Sequence, residues 1–133
     1  MGPFLSGVET MSTETVAKRL VTLCREGKYE QAQNELYAKD AISIEPQEMA
    51  GGPMGNAKGL KAILEKGHHF QEAVEKIHQN EVSDPVVADG WFSVSMHLDA
   101  TMKGRGRQDM REICVYHVKG DKIVQEQFFY DVH

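Results

Sequence analysis

Apolar positions recur at helical spacing through the first half of this sequence and alternate with polar ones through the second. Val16, Leu20, Leu23 and Cys24 make a helical stripe, with Thr13 placed to cap it, Glu14 in its first turn and Gly27 to stop it. A second helix is predicted from about Lys28 to Ala38, burying Tyr29, Ala32, Leu36 and Tyr37. Asp40 opens the strand pattern Ala41-Ile42-Ser43-Ile44-Glu45, which Pro46 closes. Gln47 to Gly55 holds three glycines, Pro53, Met49 and Met54, a mobile loop with apolar side chains of the kind that lids a pocket. Asn56 is placed to cap a third helix with Leu60, Ile63, Leu64 and Phe70 on its apolar face. Gly59 and Gly67 weaken that helix by roughly 1 kcal/mol each relative to alanine.

From Val74 the period changes to two. A polar-rich strand over Val74 to Val82 is broken by Ser83-Asp84-Pro85, and Val86-Val87-Ala88 runs into the turn signal Asp89-Gly90. Phe92, Val94, Met96, Leu98 and Ala100 then alternate with polar residues, the pattern of a half-buried antiparallel strand. Lys103 to Arg107 reads as a hairpin tip, Met110 to Val118 as the return strand, and Lys122 to Val132 as the last strand after Lys119-Gly120-Asp121. The fold class is α+β, with three helices gathered on one face of a curved, mostly antiparallel sheet. Residues 13–133 form a single domain, and residues 1–12, which lack any period, form a flexible N-terminal extension. Met11 is a second candidate for the natural start.

Composition narrows the function. The 133 residues carry 15 Lys and Arg against 20 Asp and Glu, a net charge of −5 that disfavours nucleic acid as partner. The one basic cluster, Lys103, Arg105 and Arg107 at the hairpin tip, reads as a solvated turn. No run of 18 apolar residues would span a membrane, and the opening MGPFLSGVET lacks a signal peptide's basic start. The two cysteines sit in apolar-patterned segments and read as reduced thiols of a cytoplasmic protein. His68 and His69 point about 100° apart on a helix, and no His-x-x-x-His or Cys-x-x-Cys spacing occurs, so no metal is expected. No glycine-rich phosphate loop follows a strand, so no cofactor is expected either.

Glu26-Gly27-Lys28-Tyr29, Asp40-Ala41-Ile42, Arg111 to Tyr116 and Gly120 through Asp131 together resemble the SnoaL-like branch of the nuclear transport factor 2-like superfamily. The likeness runs from about Thr13 to Asp131. It implies the cystatin-like fold, a cone-shaped barrel in which a strongly curved sheet and three N-terminal helices enclose an apolar pocket. The same cone hosts isomerases, cyclases, hydrolases, dehydratases and binding domains, so fold alone names no reaction.

Strand parity nominates the pocket lining. Phe92 and Met96 face inward by alternation. On the next strand the two faces carry Glu112, Cys114, Tyr116 and Val118 or Arg111, Ile113, Val115 and His117, and the resemblance favours the first set inside. It likewise favours Val124, Glu126, Phe128 and Tyr130 on the last strand. Glu112 and Glu126 then become carboxyls in an apolar cone, where desolvation raises pKa and two neighbouring acids divide into donor and acceptor. Against this stands an ion pair with Lys66 or Arg111.

Glu45, just before Pro46, occupies the position of the general base in the ketosteroid isomerases of this superfamily. Leu20 stands where those enzymes carry a helix-1 tyrosine, and Cys114 lies near their strand aspartate, so the likeness does not carry steroid isomerisation with it. Tyr116 and Tyr130 are alternative donors, and His78 is a candidate proton shuttle facing the cavity. The expected catalytic set is Glu45, Glu112, His78 and Tyr130. The expected ligand contacts are Leu20, Phe92, Met96, Cys114, Tyr116, Glu126 and Phe128.

Trp91, Ile113, Val115 and Phe129 fall on the convex side beside His97, His117 and Gln127, an apolar strip that predicts a homodimer. An N-terminal segment carrying Phe4 and Leu5 is the other candidate to cover it. Two functions fit. One is a cofactor-independent isomerase, cyclase or hydratase using carboxylate acid/base chemistry on a small apolar carbonyl or hydroxyl compound. The other is a domain that binds such a molecule, or associates, without catalysis.

Overall fold

The computed structural model describes residues 7–132, with side chains from residue 13 onward. Helix α1 spans Gly7–Arg25 and so begins six residues before the Thr13 cap expected from sequence. Thr13 is instead a buried helix-interior residue. The helical part of the expected loose extension is thus residues 7–12, while residues 1–6, with Phe4 and Leu5, lie outside the described chain. Gly27, at φ 75°, ends α1: its N–H donates to the Cys24 carbonyl at 3.0 Å and that of Lys28 to the Leu23 carbonyl at 2.8 Å. This pair of bonds satisfies two carbonyls the helix leaves open.

Helix α2 is Tyr29–Leu36, and strand β1, Tyr37–Ile44, follows without a loop. Tyr37 is therefore the first strand residue, not the last helical one. Strand β2, Ala57–Lys58, precedes helix α3, Leu60–Ala73. Asn56 does not cap α3; Gly59 does, at φ 91°, and its N–H donates to the Ala41 carbonyl at 2.7 Å. Only glycine holds that backbone conformation without strain, so Gly59 fastens the helix start to β1 rather than weakening the helix.

The meander forms in the order read, with β3 Val74–Val82, β4 Val86–Ala88, β5 Trp91–Met102, β6 Gly106–Lys119 and β7 Lys122–Phe129, but β6 starts before the expected Met110 and β7 ends short of the expected Val132. The order across the sheet is β2-β1-β7-β6-β5-β3, with β4 paired to β5. All pairs are antiparallel except β1 with β7. β2 and β3 are its two ends, so the sheet curls without closing into a barrel. Helices cover one face, where Leu20, Leu23 and Ile63 pack on Phe92, Val94, Cys114, Tyr116 and Ile123. Burying these side chains drives the fold, at about 1.5–3 kcal/mol for each large one. One parity expectation fails locally: a bulge between His117 and Val118 pairs Val118 with Ile123, so Ile123 is fully buried and Val124 only partly.

Candidate active site

β7 pairs with β6 only from Ile113 to Lys119, so among the described residues the β6 segment 106–112 has one free edge. A groove of about 1060 Å³ opens around that edge. Glu45, Glu112, Phe128 and Tyr130 line it from the strand ends and the helix-covered face, and His97, Arg111, Ile113 and Phe129 from the convex face.

One lysine organises the inner wall. α3 aims Lys66 back at the end of β1, where its ammonium donates to Glu45 Oε2 at 2.7 Å, Ser43 Oγ at 2.7 Å and the Gly55 carbonyl at 3.1 Å. The Lys66 and Glu45 side chains are only 10% and 9% exposed, so this is a buried ion pair with every ammonium proton directed at an acceptor. The Lys66 ammonium also lies 5.4 Å from the centre of the Phe128 ring. Tyr130 donates to the second Glu45 oxygen at 2.7 Å, and Asn56 Oδ1 accepts from the Glu45 backbone N–H at 2.7 Å. Deeper in, the Tyr37 hydroxyl and Ser43 both hydrogen-bond to Glu126. Tyr37, Glu126, Ser43, Lys66, Glu45 and Tyr130 thus form one continuous polar chain from core to groove.

The loop before α3 folds back on itself to make this possible. The Asn56 N–H donates to the Ala50 carbonyl at 2.8 Å. A Cβ on Gly55 would stand 2.2 Å from that same carbonyl oxygen, so only glycine allows the close approach that turns the Gly55 carbonyl toward Lys66.

Glu112 carries the chemistry with the clearest perturbation. Burial first, then the negative charges of Glu45 and Glu126, push its carboxyl up to about 7. Among the described residues no cation forms an ion pair with it; Lys66, which sequence reading set against it, pairs with Glu45. Burial also raises Glu126 against the opposing effect of its hydrogen bonds from Tyr37 and Ser43. Burial and the bond to Glu45 hold the Tyr130 phenol in its protonated form, well above the usual tyrosine range.

Other expected site residues fall elsewhere. His78 is exposed on β3 with Nε2 2.7 Å from Thr101 Oγ1, outside the groove, because its strand lies at the far end of the sheet. Leu20, Phe92, Cys114 and Tyr116 are packed in the core, the rings of Phe92 and Tyr116 stacked at 4.7 Å, and Met96 packs against them. The helix-covered face is filled there, so those side chains do not reach the groove. Burial raises the Cys114 thiol and the Tyr116 phenol far above their usual ranges. Cys24, likewise in the core, is pushed up to about 12 by burial.

Two members of the polar chain, Tyr37 and Ser43, escape sequence reading, and Lys66 was set against Glu112 and Glu126 when its partner is Glu45. The weak signal for Lys66 was its place one turn after Ile63, the fully buried residue of α3. On the convex side His97 lies between two carboxylates, Nδ1 3.1 Å from Glu81 Oε1 and Nε2 2.5 Å from Asp109 Oδ1. Hydrogen bonds to Asp109 and Glu81 raise its pKa, since both ring nitrogens are needed as donors. No group of three or more candidate metal ligands occurs among the described residues. No described helix is long and apolar enough to cross a membrane.

Residues 11–130 match the family model described as the SnoaL-like domain. A candidate SnoaL-like polyketide cyclase from Mesorhizobium loti superposes with a TM-score of 0.79 at 32% identity, over 87% of this chain and 97% of that one. A cystatin-like-fold protein of unknown function from Xanthomonas campestris gives 0.73 at 16% identity, covering 90% of each chain. A candidate SnoaL-like polyketide cyclase from Jannaschia gives 0.71 at 16% identity, over 98% and 92%. The last two likenesses show the fold alone. No curated protein matches the chain.

Proposed function

This chain belongs to the SnoaL-like family, and from that premise we propose a cofactor-independent catalyst of proton transfer on a small apolar compound bearing a carbonyl or hydroxyl group. Isomerisation, cyclisation, dehydration and hydration are the reactions this chemistry serves. One observation carries the reading: Glu112, a half-buried carboxyl that desolvation raises to about 7, lines the same groove as Glu45. A group titrating near neutrality both gives and takes a proton at little cost. Protonated Glu112 donates to a carbonyl or leaving hydroxyl oxygen. Glu45, fixed by Lys66 and Tyr130, is the acceptor, since two donors orient it without covering all its lone pairs. Phe128 supplies an apolar wall. Glu126 and Tyr37 lie behind this wall, as supports.

Binding without turnover is the second reading. Its support is that Tyr130 and Lys66 direct their donors at Glu45, leaving protonated Glu112 as the inner wall's donor toward a bound oxygen. We place a second copy of the chain on the convex face, where Trp91, Ile113 and Phe129 are 42%, 48% and 49% exposed. Two buried free thiols suit the reducing cytoplasm.

A thermal-shift screen of small carbonyl, lactone and phenolic compounds tests the site, with Glu45→Gln and Glu112→Gln alongside. At about a hundredfold excess over Kd a ligand adds roughly 2.7 kcal/mol of stability. That gain should vanish in either variant, and proton NMR of the hit incubated with the protein then separates turnover, isobaric products included, from binding. A ligand that stabilises wild type and both variants equally would remove these carboxylates from the site.

A further inference from the structure

Two of the three large apolar side chains exposed on the convex strip, Ile113 and Phe129, are also walls of the groove. Whatever covers that strip therefore reaches the groove as well. The cause is the early end of β7: past Ile113 the free β6 edge lets the cavity run from Glu112 and Phe128 on one face to Ile113 and Phe129 on the other.

The charges on this face say what covers it. Odd-numbered positions of β5 and β6 face the same way across their shared register, and they bring Asp99, Arg107, Asp109 and Arg111 beside His97, with Glu81 from β3. Every one of these is in an ion pair: His97 with Glu81 and Asp109, Arg107 with Asp99 at 2.8 Å, and Arg111 with Asp109 at 3.0 Å. With His97 protonated, three acids face three cations. A chain of net charge −5 thus carries, beside an apolar strip, a cluster whose charges are paired among themselves, with Lys76 on the same face across from Thr101. A two-fold contact sets such a face against itself, which charges already paired permit and a large surplus of either sign opposes. A strongly acidic or basic partner would find little complementary charge here.

We propose that the groove is a shared site, whose open side on the convex face is walled by a second copy of the chain. This rests on the two-copy reading above and extends it to the ligand: a molecule with its oxygen at Glu112 and an apolar body long enough to lie between the copies, over Ile113 and Phe129. In a single chain that apolar body would remain in water.

A single reporter thiol tests this, because Cys24 and Cys114 are both buried. Ala50→Cys places the thiol on the loop side of the groove, away from the convex strip, and N-ethylmaleimide alkylation is timed across a protein dilution series with light scattering in parallel. The expected result is a mass rising to twice 14.9 kDa with protein concentration. Alkylation slows in step, roughly tenfold at about a hundred times the dissociation constant, because the free monomer falls by that factor. Adding Trp91→Arg, a convex-face position outside the groove, abolishes both effects while circular dichroism confirms folding. Association with unchanged alkylation would overturn the shared site and leave the dimer standing. No association at high micromolar concentration would overturn both, and would turn attention to the N-terminal segment as the cover of the strip.

Discussion

Replacing Lys66 with Met removes the ammonium and keeps the apolar stem, isolating what the charge does. The loss has three parts. Glu45, 9% exposed, is left without its cation; truncating one partner of a buried pair costs about 3–5 kcal/mol. Ser43 Oγ and the Gly55 carbonyl also lose a donor, at about 1–3 kcal/mol each when no water replaces it. The groove is open at Glu45, so water recovers part of this, and we expect a net loss of about 4 kcal/mol at pH 7. For a chain of this size that lowers Tm by roughly 10–15 °C. The assay is urea unfolding followed by circular dichroism, on Lys66→Met, Glu45→Gln and the double variant. With the acid neutralised the missing cation matters less, so the double loss should fall short of the sum of the singles by about 2 kcal/mol. A single-variant loss under about 1 kcal/mol, or strict additivity, would refute the claim that this pair anchors the inner wall.

Two further predictions concern pH. Glu112 is raised from 4.5 to about 7, so the folded state holds its proton longer than the unfolded chain. Stability from this group is complete below pH 4.5 and declines until about pH 7, by an order-of-magnitude 3 kcal/mol. Glu112→Gln should be more stable than wild type at pH 8 and equal to it at pH 4, by chemical unfolding at each pH; parallel pH profiles would contradict the burial argument. His97 is also raised, by Asp109 and Glu81, so its contribution is full below its unfolded value of 6.5 and is lost as pH rises through the folded value. His97→Gln should abolish that decline in Tm, and an unchanged profile would mean that the imidazolium is not what joins β3 to β6 through β5.

The meander was legible because one face of it is buried: Phe92, Val94, Cys114 and Tyr116 alternate with exposed partners, and a one-residue slip would invert every side chain. The bulge at Val118 and Ile123 was not, since both residues of Ile123-Val124 are apolar and either parity looks satisfied. Tyr37 follows Leu36 on an apolar helical stripe, so periodicity kept it in α2 although the chain had already turned into β1. Glu45, Glu112, Phe128 and Tyr130 were nominated from sequence and do share a groove. Their organiser was half legible: Lys66 was named as an ion-pair partner, but for Glu112 or Glu126 and not for Glu45. A lysine on an amphipathic helix normally extends into solvent, and only the folded chain brings Ser43, Glu45 and Gly55 to one ammonium. Asn56 shows the same limit: its side chain has a helix-capping type and sits at a helix entrance, yet it serves the Glu45 backbone.

The parallel pairing of β1 with β7 has a consequence for the order in which this protein acquires its chemistry. Tyr37 meets Glu126 across 89 positions and Tyr130 meets Glu45 across 85, so each end of the polar chain joins an early strand to the last one. During synthesis the helices, β1 and the β3–β5 part of the meander are all available while β7 is still to be made. Until it docks, Lys66 and Glu45 can already pair locally, but the groove lacks Phe128 and Tyr130, two of the side chains that line it. Closing so long a loop is entropically slow relative to forming a helix or a hairpin. The nascent chain therefore folds as a scaffold first, and its groove becomes complete in the final step.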